Sequence, residues 1–178
     1  MVWIDVVGVY VTVALKHMSK KIVCVSGGFD PMHVGHVRMI QEAAALGDEL
    51  VVILNNDSWL KKKKGHAFMP EDQRKEIIEA IKGVDRVVLT THTPDDEDRS
   101  VCNALREIHP DIFANGGDRF SDNIPEAVLC RELGIETVFN VGAGGKMQSS
   151  SWLTATDRGD RDCFCTSGKK YMECCFKK

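Results

Sequence analysis

At 178 residues the chain is long enough for one catalytic domain with short appendages at either end. A composition of 43% hydrophobic and 28% charged residues excludes a largely disordered protein. The formal net charge of -3 gives no general attraction to polyanions, so any nucleotide site has to be locally basic.

Residues 1–17 are apolar for much of their length, yet they carry Asp5, lack the basic opening of a signal peptide and are too short to span a bilayer. Met18 therefore reads as the natural start, with an upstream extension before it. An additional strand or an interfacial anchor is the rival reading of that segment, and the remainder reads as a cytoplasmic, non-membrane protein. Short β-branched runs follow at Ile22 to Val25, Leu50 to Leu54, Arg86 to Leu89, Ile112 to Ala114 and Glu136 to Phe139, each bounded by Gly, Asp, Asn or Pro. Helical spacing lies between them, as in Val37, Ile40 and Ala44 and in Val101, Ala104, Leu105 and Ile108. Gly47, Gly83 and Gly134 stand where left-handed helix caps are wanted, Pro110 ends one helix, and Pro125 suits the first turn of another. Alternating strands and helices predict a Rossmann-like doubly wound parallel sheet of about five strands over residues 18–153. Ligands of such folds bind beyond the carboxyl ends of the strands, where the strand order switches.

Four stretches at those ends carry chemistry. The first strand runs into Ser26-Gly27-Gly28-Phe29-Asp30-Pro31-Met32-His33-Val34-Gly35-His36. Its glycines permit close approach to a phosphate, the following helix supplies free N–H groups, and His33 and His36 fall on one face of the first turn. The second, Asn56 to Gly65, contains four consecutive lysines, Lys61 to Lys64, which read either as a solvated run or as a cation source in a loop. The third is Asn115-Gly116-Gly117-Asp118, able to meet a base and ribose, and equally an ordinary turn. The fourth is Lys146-Met147-Gln148-Ser149-Ser150-Ser151, whose serines suit a helix N-terminus.

The Gly-Phe-Asp and His-x-Gly-His segments, with the distal serine-tipped helix, make residues 21 to 153 resemble the cytidylyltransferase-like nucleotidyltransferases. The resemblance implies transfer of CMP or AMP from CTP or ATP to a small phosphorylated acceptor, a sugar or polyol phosphate, with release of pyrophosphate. It implies catalytic roles for His33, His36 and a loop lysine, Lys63 or Lys64. It also implies nucleotide contacts from Gly28, Phe29, Asp30, Arg74, Gly116, Gly117, Asp118, Lys146, Ser149, Ser150 and Ser151, with Mg²⁺ bridging phosphates and a possible homodimer. Arg74 reads alternatively as a helix-surface charge, and Lys146 stands where relatives often carry arginine. A catalytically inactive nucleotide-binding scaffold is the alternative function, and a fragment related to class I aminoacyl-tRNA synthetases a third.

After a polar linker, residues 154–162, the segment 163–178 holds Cys163, Cys165, Cys174 and Cys175. Their CxC…SGKKY…CC pattern resembles the SEC-C zinc motif, which implies a small Zn²⁺-binding tail able to dock on a protein or ribosomal partner. Cys24, Cys102 and Cys130 read as buried small hydrophobes.

Overall fold

The computed structural model describes residues 2–6, 9–13, 20–116, 124–142, 149, 150, 153 and 167–170, the first two segments by backbone alone. Strands β1 (Val2–Val6) and β2 (Val9–Val13) pair antiparallel into a two-stranded sheet of their own, in register from Val2 opposite Val13 to Val6 opposite Val9. Residues 2–6 and 9–13 are thus extended backbone.

The main sheet is built from β3 (Ile22–Gly27), β4 (Glu49–Leu54), β5 (Arg86–Leu89), β6 (Ile112–Gly116) and β7 (Glu136–Val141). Their spatial order is β5-β4-β3-β6-β7, and every pairing is parallel. The chain walks outward from β3 to β5, then crosses back to β6, so the switch in strand order falls between β3 and β6. Among the described residues, the helices that connect these strands are α1 (Val34–Ala44), α2 (Asp57–Lys64), α3 (Glu71–Glu79), α4 (Cys102–Ile108) and α5 (Pro125–Leu133).

Both sheet faces are covered, which is why the strands read as continuous apolar runs. Val23, Val25, Leu50, Val52, Leu54, Ile112 and Ala114 pack against Met39, Ile40 and Ala43 of α1 and Ile78 of α3. The alternate residues Cys24, Val51, Ile53 and Phe113 pack against Cys102 and Leu105 of α4 and Leu129 and Cys130 of α5. Cys24, Cys102 and Cys130 are buried free thiols in this second layer, and burial pushes the Cys24 thiol up to about 12, leaving it inert.

The helix stops differ from expectation at one glycine. Gly134 caps α5 at φ 71°, and Pro125 opens that helix, as the sequence suggested. Gly47, by contrast, is not left-handed: α1 has already closed at Ala45, and a Cβ on Gly47 would lie 2.5 Å from the Lys21 carbonyl oxygen. That glycine serves close approach to the start of β3 rather than a cap.

Candidate active site

The loop leaving β3 turns sharply at Phe29, whose φ of 49° lies in the left-handed region. This sends the Phe29 ring into the α1-side core and edge-on against His36, with centroids 5.0 Å apart. His33 is the N-cap of α1 and His36 its third residue, so the imidazoles stack with centroids 3.6 Å apart. The His33 N–H donates to His36 Nδ1 at 3.3 Å. A neutral His36 then carries its proton on Nε2, as a donor. Burial, followed by the nearness of His33 and Lys64, drives the His36 value down to about 3. Burial chiefly, with Lys64 adding to it, also lowers His33, so both rings are neutral at neutral pH.

The lysine run is helical rather than part of a loop. The Asn56 side chain accepts from the Trp59 N–H at 3.0 Å to start α2, and left-handed Gly65 at φ 84° ends it. Asp57 in the first turn and the lysines in the last complement the helix dipole. This geometry separates the two candidate lysines. Lys64 Nζ donates to the Asp30 carbonyl at 2.6 Å, beside the histidines, whereas Lys63 Nζ stands over the Trp59 ring at 4.4 Å. Burial lowers the Lys64 value, with Asp30 opposing and Arg74 reinforcing that shift.

Phe29, Asp30 and Arg74, expected among the nucleotide contacts, are 3%, 2% and 0% exposed, and the Asp30 carboxylate and Arg74 guanidinium are taken up by partners inside the protein. The two Asp30 carboxylate oxygens accept from the Phe68 and Met69 N–H groups at 2.8 Å each, pinning the α2–α3 connection to the glycine loop. Arg74, far from being a surface charge, threads its guanidinium between three loops. It donates to the carbonyls of Met69 at 2.9 Å, Gly28 at 2.7 Å and Asn55 at 2.7 Å, and pairs with Asp57 Oδ1 at 2.6 Å. Arg74 is thus a positioning residue for the ends of β3 and β4. No local signal marks Asp57 as its partner, because the two lie 17 residues apart.

The distal half arrives from β7. Gly142, at φ 102°, passes so close to α1 that a Cβ would lie 3.2 Å from Met39 Cα, and its N–H donates to Glu42 at 3.0 Å. Further on, Ser150 and Leu153 are helical, and the Ser149 carbonyl accepts from the Leu153 N–H at 3.3 Å. Ser150 Oγ donates to the Pro31 carbonyl at 2.9 Å, two residues before His33. Segments 119 residues apart in the chain therefore meet beside the histidine turn, beyond the carboxyl end of β3. Gly28 lies in this turn, where a Cβ would stand 2.9 Å from Leu60, and Gly116 ends β6 against Met39. Gly117, Asp118, Lys146, Ser151 and the four cysteines of the tail lie outside the described residues. Among the described residues no cluster of three or more His, Cys, Asp or Glu could hold a metal ion, and no helix is long and apolar enough to cross a membrane.

Comparison with known proteins puts this arrangement in a family. The cytidylyltransferase-like family model matches residues 24–151, which include most of β3, both histidines and Ser150. The chain belongs to the cytidylyltransferase-like family. It is a nucleotidyltransferase of that family, similar over 114 residues to the FAD synthase of Aciduliprofundum boonei at 38% identity, covering 64% of this chain and 72% of that one. Over 122 residues it is 33% identical to the bifunctional protein HldE of Desulfatibacillum aliphaticivorans, covering 67% of this chain but only 24% of that longer protein. Among solved structures, the lipopolysaccharide core biosynthesis protein of Thermoplasma volcanium GSS1 superposes with a TM-score of 0.57 at 27% identity, over 71% of this chain and all of that one. This cytidylyltransferase-like domain thus has relatives both as a stand-alone enzyme and as part of a larger one.

Proposed function

We propose that the protein transfers AMP from ATP to the phosphate monoester of a small acceptor, releasing pyrophosphate. The observation that carries this reading is the meeting of Ser150 with the Pro31 carbonyl at 2.9 Å, which joins the serine-tipped helix to the His33–His36 turn. The choice of ATP rests on FAD synthase relatives, since making FAD from a flavin mononucleotide requires an adenylyl donor. FMN is accordingly the first acceptor to test, ahead of sugar and polyol phosphates.

The chemistry asks little of a general base. An acceptor phosphate oxygen, already anionic, attacks the α-phosphorus, the bond to the bridging oxygen breaks, and pyrophosphate leaves. Alignment and neutralisation of charge then set the rate. His36 Nε2–H and His33 act as donors toward the α-phosphate, Lys64 supplies the positive charge, and the helical turn at Ser149 and Ser150 receives the β- and γ-phosphates. Asp30 and Asp57 are both engaged by protein partners, so neither carboxylate is assigned to the Mg²⁺ ion that would accompany the nucleotide. Such an ion would screen the triphosphate charge. Gly117, Asp118, Lys146 and Ser151 complete the proposed nucleotide contacts, and the cysteine tail is a separate Zn²⁺ site for a docking partner.

The test is pyrophosphate release from each of the four nucleoside triphosphates against FMN, sugar phosphates and polyol phosphates. The reading expects turnover with ATP and one phosphorylated acceptor. Turnover with CTP alone would overturn the base assignment, and release with no pair would overturn the function.

A further inference from the structure

Lys64 reaches the histidine turn from the end of a short helix that has little apolar surface to hold it. Helix α2 is eight residues long, and only Trp59 and Leu60 of it are buried. A helix of this length is marginal on its own, and the lysines crowded into its last turn repel one another. Polar ties have to fix its direction, and they converge on its N-cap.

Asn56 engages every polar group it has. Its N–H donates to Thr90 Oγ1 at 3.1 Å and its carbonyl accepts from the Leu60 N–H at 3.2 Å. Its Oδ1 accepts from the Trp59 N–H at 3.0 Å, and its Nδ2 donates to the His92 carbonyl at 2.7 Å. These partners fix the orientation of the amide, because the reversed side chain would set oxygen against the His92 carbonyl and an NH₂ against the Trp59 N–H. One side chain thus starts α2 and ties it to the segment that follows β5.

That segment is itself anchored. The Thr90 N–H extends the sheet ladder to the Leu54 carbonyl at 2.9 Å. Further along, the Arg99 carbonyl accepts from Trp59 Nε1–H at 2.8 Å, and the Asp96 carbonyl accepts from the Lys62 ammonium. Residues 90–99 therefore form a strap whose oxygens receive donors from α2 and its cap, with Asn56 supplying the two at the sheet end. The other tie on Lys64, from Nζ to the Asp30 carbonyl, ends on a flexible four-carbon side chain and leaves the helix axis free.

The lever arm gives the consequence. From Asn56 to Lys64 the helix rises about 12 Å, so a tilt of about 5° at the cap moves the lysine end by about 1 Å. A misplacement of that size costs up to about a hundredfold in rate. We propose that Asn56 is a positioning residue for Lys64, holding its ammonium in register with the transferring phosphate through the strap after β5. This rests on the nucleotidyltransferase reading and deepens it.

The experiment measures pyrophosphate release and melting temperature for the full chain, for Asn56→Ser, Asn56→Asp and Lys64→Ala, and for Lys64→Ala combined with Asn56→Ser. Serine and aspartate cap helices as well as asparagine does, so both keep α2 started while removing the donor to His92. Asn56→Ser should lower kcat about tenfold and leave the KM for the acceptor within about twofold. Asn56→Asp, which sets a carboxylate against the His92 carbonyl, should be slower still. The melting temperature of the serine variant should stay within about 4 °C of the wild type. In the Lys64→Ala background, Asn56→Ser should change kcat less than about twofold, because the group it positions is gone. Wild-type kcat in both Asn56 variants overturns the proposal. So does a loss of the same factor with and without Lys64, which would mean that Asn56 acts elsewhere. A loss that vanishes when the assay is run well below a lowered melting temperature also overturns it, by showing that the residue serves stability alone. Failure of the wild-type protein to release pyrophosphate with any pair, or an unimpaired Lys64→Ala, would instead sink the reading underneath.

Discussion

Replacing Arg74 by methionine removes a fully buried guanidinium while keeping much of the stem volume. Four hydrogen bonds are lost, three of them to the carbonyls of Gly28, Asn55 and Met69 and one to Asp57. Deleting one partner of a buried ion pair costs about 3–5 kcal/mol. The Asp57 side chain is 26% exposed, so water reaches the abandoned carboxylate and the lower end, about 3 kcal/mol, applies. For a chain of this size that corresponds to a fall in Tm of roughly 6–12 °C. Thermal and urea denaturation followed by circular dichroism measure it, with Asp57→Asn and the double variant completing the cycle. Once Asp57 is neutral, the added cost of losing Arg74 should shrink by about 1 kcal/mol or more. Below its melting point the methionine variant should also turn over more slowly, because the ends of β3 and β4 lose their shared anchor. A stability change under about 0.5 kcal/mol, or strictly additive effects of the two substitutions, would refute this account of the guanidinium.

The two candidate lysines should separate: Lys64→Ala should lower kcat/KM for ATP about a hundredfold, whereas Lys63→Ala, whose ammonium lies over Trp59, should change it less than threefold, as read from initial rates of pyrophosphate release. His36 titrates near 3 in the folded protein and near its ordinary value when unfolded, so between those limits the unfolded chain binds the extra proton. Stability should therefore fall as the pH drops below about 6.5, by up to about 1.4 kcal/mol per pH unit from this group. Urea midpoints across that range should show a shallower slope for His36→Phe than for the wild type, and identical slopes would contradict the burial of His36. Chelation should remove one zinc ion per chain, read by metal analysis, and leave the rate of pyrophosphate release unchanged; a matching loss of turnover would place the cysteine tail in the catalytic machinery.

Much of the fold was legible because its strands obey one rule. Residues such as Val23, Cys24 and Val25 are buried on both faces of a covered parallel sheet, so they read as short apolar runs between turn residues. The histidine turn was legible because glycines, imidazoles and a helix start lie consecutively. The α2 helix was not: a run of lysines gives no apolar period, and its start and stop depend on a side-chain cap at Asn56 and a left-handed Gly65. The burial of Arg74 was not legible for a related reason. Nothing within its own helix reveals burial, since its acceptors come from Gly28, Asn55, Asp57 and Met69. Close approaches such as Gly47 against Lys21 likewise exist only after folding.

The central claim is that two neutral imidazoles at the start of α1 stabilise a transferring α-phosphate. His36→Phe keeps a ring to pack against His33 and Phe29 but has no nitrogen to offer, and single-turnover adenylyl transfer measures what that nitrogen does. A fall of about a hundredfold or more, about 3 kcal/mol, is expected while the protein stays folded at the assay temperature. Transfer at the wild-type rate would show that the chemistry happens elsewhere.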